Sequence, residues 1–79
     1  MSIVPILKSK ELLKILFKAG FKIIRQSGSH IRLRHLIDVT KQTTIPMHNS
    51  DIPRWLLMTI LKQSGISLKQ LLVILKNIK

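Results

Sequence analysis

The sequence predicts an α+β fold in which a three-stranded antiparallel sheet carries helices on one face. Three observations carry this prediction. Residues 10–19 place apolar side chains at helical spacing. Residues 21–45 hold three short runs in which apolar and polar residues alternate. Residues 51–77 return to helical spacing, broken at Gly65.

The first helix is expected from Lys10 to about Ala19, with Ser9 as its N-cap. Leu12, Leu13, Leu16 and Phe17 form its apolar stripe. Lys10, Lys14 and Lys18 recur on the other side and read as a solvated face, not an RNA track. Gly20 ends the helix.

Phe21–Gln26 and His30–His35 read as a hairpin, and burial of one face decides its register. A two-residue Ser27-Gly28 loop pairs Arg25 with His30 and Lys22 with Leu33, mixing charge with apolar residues on both faces. A three-residue loop, Ser27 to Ser29, pairs Ile23 with Leu33 and Lys22 with Arg34. It separates an apolar face (Phe21, Ile23, Ile31, Leu33) from a basic one (Lys22, Gln26, His30, Arg32, Arg34). The three-residue loop is therefore preferred, with Gly28 at positive φ. Ile24, on the basic face, is its one misfit.

A third strand is expected at Gln42–Ile45, ended by Pro46. Asp51 is placed as N-cap of the second helix, with Pro53 in its first turn and an end near Gln63. Trp55, Leu56, Leu57, Met58, Ile60 and Leu61 make that helix apolar almost all round, which predicts burial on several sides. Ser67 caps a third helix, to about Asn77, with Leu68, Leu71, Leu72 and Leu75 on one face. Val73 and Ile74 widen that face, as a core detail or as a docking surface. The three aromatic residues, Phe17, Phe21 and Trp55, all fall in apolar patterns, so core packing is expected and base stacking is not.

The length suits one small domain, residues 1–79, able to bury roughly 60% of the surface of its unfolded chain. Fourteen Lys and Arg face three Asp and Glu, a formal net charge of +11. Such a surface favours a polyanion, an acidic protein or an anionic membrane as partner. No apolar run reaches the roughly 20 residues of a membrane span. A membrane-active role for the last helix is weak, because its lysines are few. Without cysteine, disulfides and thiolate zinc sites are excluded. Glu11, Asp38 and Asp51 lie too far apart in sequence to suggest a metal centre, and no cofactor is implied. The chain reads as a complete cytoplasmic protein.

Alternation in the second strand puts His30, Arg32 and Arg34 on one face. An unperturbed histidine titrates near pH 6.5, so it can move protons at neutral pH. Two guanidinium groups beside it suit phosphate, which arginine can hold through paired hydrogen bonds. RNA is the first substrate to consider, because its own 2′-hydroxyl can attack the adjacent phosphate once a proton is taken from it.

Several strings then resemble one family. They are Gly20-Phe21, Arg25-Gln26-Ser27-Gly28-Ser29-His30, Thr44-Ile45-Pro46-Met47-His48 and Ile60-Leu61-Lys62-Gln63-Ser64-Gly65-Ile66. Together, in this order, they look like the HicA toxins of bacterial and archaeal toxin–antitoxin pairs. The resemblance spans about residues 8–68. It departs at Arg54-Trp55, where similar proteins carry a glycine. Residues 1–8 read as an N-terminal extension and residues 66–79 as an extra C-terminal helix.

The resemblance implies a double-stranded-RNA-binding-domain-like α-β-β-β-α fold. It implies a metal-independent mRNA interferase, neutralised by a HicB-type antitoxin, and it allows a homodimer within that complex. An acidic antitoxin would complement the basic chain. The histidine after the Gly-Ser pair, the family's catalytic residue, is His30 here. Lys22, Ser29, Arg32, Arg34 and His48 are the residues expected to bind RNA, with His48 divided between loop and site. His35 is expected to be structural. The competing reading is a basic RNA-binding module without catalysis.

Overall fold

The computed structural model describes residues 4–78; residues 1–3 of the expected extension lie outside the described residues. Its elements are α1 (Ser9–Lys18), β1 (Phe21–Ser27), β2 (His30–His35), β3 (Gln42–Pro46), α2 (Arg54–Ser64) and α3 (Leu68–Ile78). The strands form one antiparallel sheet with β2 in the middle. Along β2, Ile31 and Leu33 are buried while His30 and Arg32 are exposed. Thr43 and Ile45 of β3 continue the buried side. Helix α1 packs across β1 and β3, α2 packs on β3, and α3 packs against α1.

The hairpin departs from the expected register in one informative way. Ile23 pairs with Leu33 and Lys22 with Arg34, as expected, but Arg25 pairs with Arg32, Gln26 with Ile31 and Ser27 with His30. The loop is therefore the two residues Gly28 and Ser29, and Ile24 is the extra residue of a β-bulge. Gly28 has φ +57 and Ser29 does not take positive φ, the sign pattern of a type II′ turn. The bulge absorbs the misfit of Ile24. It also turns Gln26 to the helix side, against expectation, and brings Arg25 to the basic side.

Ser9 does not cap α1. Its side chain is 1% exposed, and its hydroxyl donates to the Pro46 carbonyl (2.6 Å) and accepts from the His48 N–H (3.3 Å). The helix starts one residue earlier than expected, with Lys8 as N-cap, and the Glu11 carboxylate accepts from the Lys8 N–H at 3.0 Å. The buried stripe is Leu12, Ile15 and Leu16; Phe17 is 45% exposed.

Asp51 does not cap α2. Its carboxylate pairs with Lys8 Nζ at 3.3 Å, and Pro53 stands just before the helix. Only one side of α2 is covered, through Leu57, Ile60 and Leu61; Trp55 is 69% exposed and Met58 is exposed beside it. Gly65, with φ +68, ends α2 in the left-handed conformation. Ser67 does begin α3: its hydroxyl accepts from the Gln70 N–H, and the Gln70 side chain accepts from the Ser67 N–H. Leu71 is buried, Leu68, Ile74, Leu75 and Ile78 pack against the core, and Leu72 is exposed.

His35 is structural, as expected. Its ring meets Phe21 edge-on (centroids 5.2 Å apart, 84° between planes), and Nδ1 accepts from the N–H groups of Ile37 and Asp38. In the turn that follows, the Asp38 carboxylate accepts from the Thr40 hydroxyl (2.6 Å) and N–H (3.1 Å). The Thr40 hydroxyl, then its N–H, holds the Asp38 carboxyl below its usual range, with Lys41 and His35 adding to the effect. A carboxylate lowered by folding stabilises above its unfolded pKa, near 3.9, and loses that contribution as pH falls through the folded value. Asp38→Ala is therefore expected to flatten the loss of stability below about pH 4 in acid titrations followed by circular dichroism.

Candidate functional site

The sheet face away from the helices gathers Lys22, Arg25, His30, Arg32 and Arg34. Alternation along β2 sets the last three about 7 Å apart in turn. The bulge at Ile24 adds Arg25 from β1. Two like-charge pairs stand directly opposite each other across the strands, Arg25 with Arg32 and Lys22 with Arg34. Such pairs destabilise a sheet.

Among the described residues the one ion pair is Lys8–Asp51, away from this face. Glu11 serves the start of α1 and Asp38 the β2–β3 turn. The basic face therefore keeps its charge. Arg32 is partly fixed, its Nη2 donating to Gln42 Oε1 at 2.8 Å. Arg34 is half-buried, and its Nε has no partner among the described residues. The repulsion on this face is left without acidic relief among the described residues.

His30 sits at the turn end of the row, between Ser27 of β1 and Pro46 of β3. It is exposed, and its ring makes no hydrogen bond among the described residues. Ser29 precedes it in the turn, where its carbonyl accepts from the Met47 N–H at 2.6 Å. That bond ties the turn to the segment after β3.

Of the residues expected at the site, Lys22, His30, Arg32 and Arg34 share one face, with Ser29 at its end. His48 is not in that row. It is exposed in the segment after β3 and lines a cleft with Lys8, Lys10 and Glu11. Arg25 is the residue that sequence reasoning missed, and the misplaced Ile24 was its signal. Among the described residues no three His, Asp or Glu side chains approach closely enough to share a metal ion. No described helix is long and apolar enough to cross a membrane.

The family model described as HicA toxin of bacterial toxin-antitoxin matches residues 9–66 of the 79-residue chain. The chain belongs to the HicA toxin family. No curated protein matches the sequence. The match takes in α1, the whole sheet and α2, and α3 lies beyond it. The observed order is the double-stranded-RNA-binding-domain-like arrangement of HicA proteins, with α3 appended. Membership makes the chain the toxin of a toxin–antitoxin system, and the HicA family works with an antitoxin partner.

Proposed function

We propose that this HicA-family toxin is a metal-independent endoribonuclease, an mRNA interferase with His30 as its proton-transfer residue. The observation that carries the reading is the row of His30, Arg32 and Arg34 on an otherwise unneutralised basic face. The backbone of RNA lies along that face, its phosphates held by Arg32, Arg34, Arg25 and Lys22, with Ser29 contacting it at the turn. The 2′-hydroxyl attacks the adjacent phosphorus. Its proton goes to His30, the bond from phosphorus to the 5′ oxygen breaks, and the His30 imidazolium gives the proton to that oxygen, which restores the neutral ring. The products are a 2′,3′-cyclic phosphate and a 5′-hydroxyl end. The guanidinium groups stabilise the charge that builds on the phosphoryl oxygens. One proton-transfer group supplies about 10²–10⁴-fold, so turnover is slow.

A cytoplasmic HicB-type antitoxin of acidic character neutralises the toxin, steered to it by the net charge of +11. The test is incubation of the pure protein with single-stranded RNA in EDTA. Fragments ending in cyclic phosphate support the proposal. Tight binding with intact RNA would move the assignment to a binding module.

The bulge makes a separate claim about binding. Arg25→Ala is expected to reduce the slope of log affinity against log salt by about 0.7 on single-stranded RNA, the increment for one phosphate contact. Gln26→Ala should leave the slope unchanged, because a neutral amide displaces no counterions from RNA. Filter binding across a salt series reads both.

A further inference from the structure

Around the end of the sheet from His30, a cleft of about 530 Å³ opens between the start of α1 and the segment after β3. Its lining is Lys8, Lys10, Glu11, Met47, His48 and Asn49. The volume falls within the range of about 300–1,000 Å³ usual for small-molecule sites. The cleft adjoins the proposed catalytic position through the backbone. His30 pairs with Pro46, and the next residue, Met47, donates its N–H to the Ser29 carbonyl. The walls are fixed to each other by buried Ser9, whose hydroxyl bonds both the Pro46 carbonyl and the His48 N–H.

The polar groups of the cleft divide into engaged and available. Lys8 Nζ donates to the Asn49 carbonyl (3.0 Å) and to the Asp51 carboxylate (3.3 Å). Glu11 accepts from the Lys8 N–H. The Lys10 ammonium, the His48 ring and the Asn49 side-chain amide have no hydrogen-bond partner among the described residues. Met47 supplies an apolar wall, half-buried and packed against the core. One apolar contact, an amide that can both donate and accept, an imidazole and a cation match a nucleobase with its phosphate.

We infer that this cleft is a nucleotide pocket that takes the nucleotide next to the phosphate cleaved at His30. Met47 packs on the base, Asn49 and His48 read its edge, and Lys10 holds its phosphate. The inference rests on the ribonuclease reading of His30. It replaces the expectation of little base recognition, which followed from placing all three aromatic residues in the core. It also separates Lys10 from Lys14 and Lys18: Lys10 alone of the three lines the cleft.

The test is titration of the full chain with adenosine, cytidine, guanosine and uridine monophosphates, followed by amide and methionine-methyl NMR shifts. Saturable shifts at Lys10, Met47, His48 and Asn49 are expected, with the four bases bound unequally. Asn49→Ala is expected to weaken the best-bound nucleotide about three- to tenfold and to narrow the ranking, the effect of losing one or two hydrogen bonds. Lys10→Ala should weaken all four alike. Asn49 and Lys10 are exposed, so neither change threatens the fold. Shifts confined to Lys22, Arg25, Arg32 and Arg34, or an unchanged ranking in Asn49→Ala, would overturn the pocket. The readout involves no cleavage. A chain that binds nucleotides in the cleft but leaves RNA intact refutes the role of His30 alone. A chain that cuts RNA with no shifts in the cleft refutes the pocket alone.

Discussion

Replacing His30 by alanine is expected to slow RNA cleavage by about 10²–10⁴-fold, the usual contribution of one acid–base group, while RNA binding changes little. The two effects separate because binding and chemistry draw on different side chains. The charges that hold the backbone belong to Lys22, Arg25, Arg32 and Arg34, and none of them depends on the imidazole, which bonds to nothing among the described residues. His30 is exposed, so its truncation leaves no cavity and should not alter the fold. Single-turnover rates in EDTA, set beside filter-binding affinities, measure both quantities. His30→Gln sharpens the result. Glutamine keeps a hydrogen-bonding group at that position but cannot carry a proton between two oxygens. If His30 moves the proton, glutamine is as slow as alanine. If His30 only orients RNA, glutamine restores much of the rate. Wild-type cleavage by His30→Ala would place the chemistry elsewhere.

The row of His30, Arg32 and Arg34 was legible because strand alternation is a short-range rule that one run of sequence satisfies by itself. Capping of α3 by Ser67 was legible for the same reason: its partner, Gln70, is three residues away. Ser9 followed the same local pattern and misled, because its partners come from residues 37 and 39 positions further on. Local preference for a capping role lost to a tertiary contact that pins α1 to the end of β3. Asp51 was lost to Lys8 in the same manner, across 43 positions. The burial of Trp55 was misjudged on different grounds. An all-round apolar helix implies several buried sides, but α2 lies on the edge strand β3, and Trp55 projects to solvent. A two-residue Gly28-Ser29 loop places Arg25 opposite Arg32, but continued without a break it would move Ile23 away from Leu33; the bulge at Ile24 reconciles the two. A bulge shows in sequence only as a misfit, here Ile24 on a charged face. The cleft beside His48 is a product of two chain segments far apart in sequence, which no periodicity reports.

Leu33→Ala is expected to destabilise the fold by about 2–5 kcal/mol, the range for truncating a fully buried leucine. Leu33 is 0% exposed, lies in the central strand, and pairs with Ile23 on one side and Thr43 on the other. A small domain holds about 5–15 kcal/mol in total, so the change removes a large share. At about 4–8 °C per kcal/mol for this size, the melting temperature should fall by on the order of 10–40 °C. Its cross-strand neighbour calibrates the claim. Ile23 shares the apolar side but stands on the edge strand, 41% exposed, and Ile23→Ala should cost about 1 kcal/mol or less. Leu33→Met, which nearly conserves volume, should cost less than about 1.5 kcal/mol. Thermal melts of the three variants give the comparison directly. Similar losses in Leu33→Ala and Ile23→Ala would mean that the helices do not cover the centre of the sheet. The basic side would then lose its defining contrast, because His30 and Arg32 are set outward by the same alternation that sets Leu33 inward.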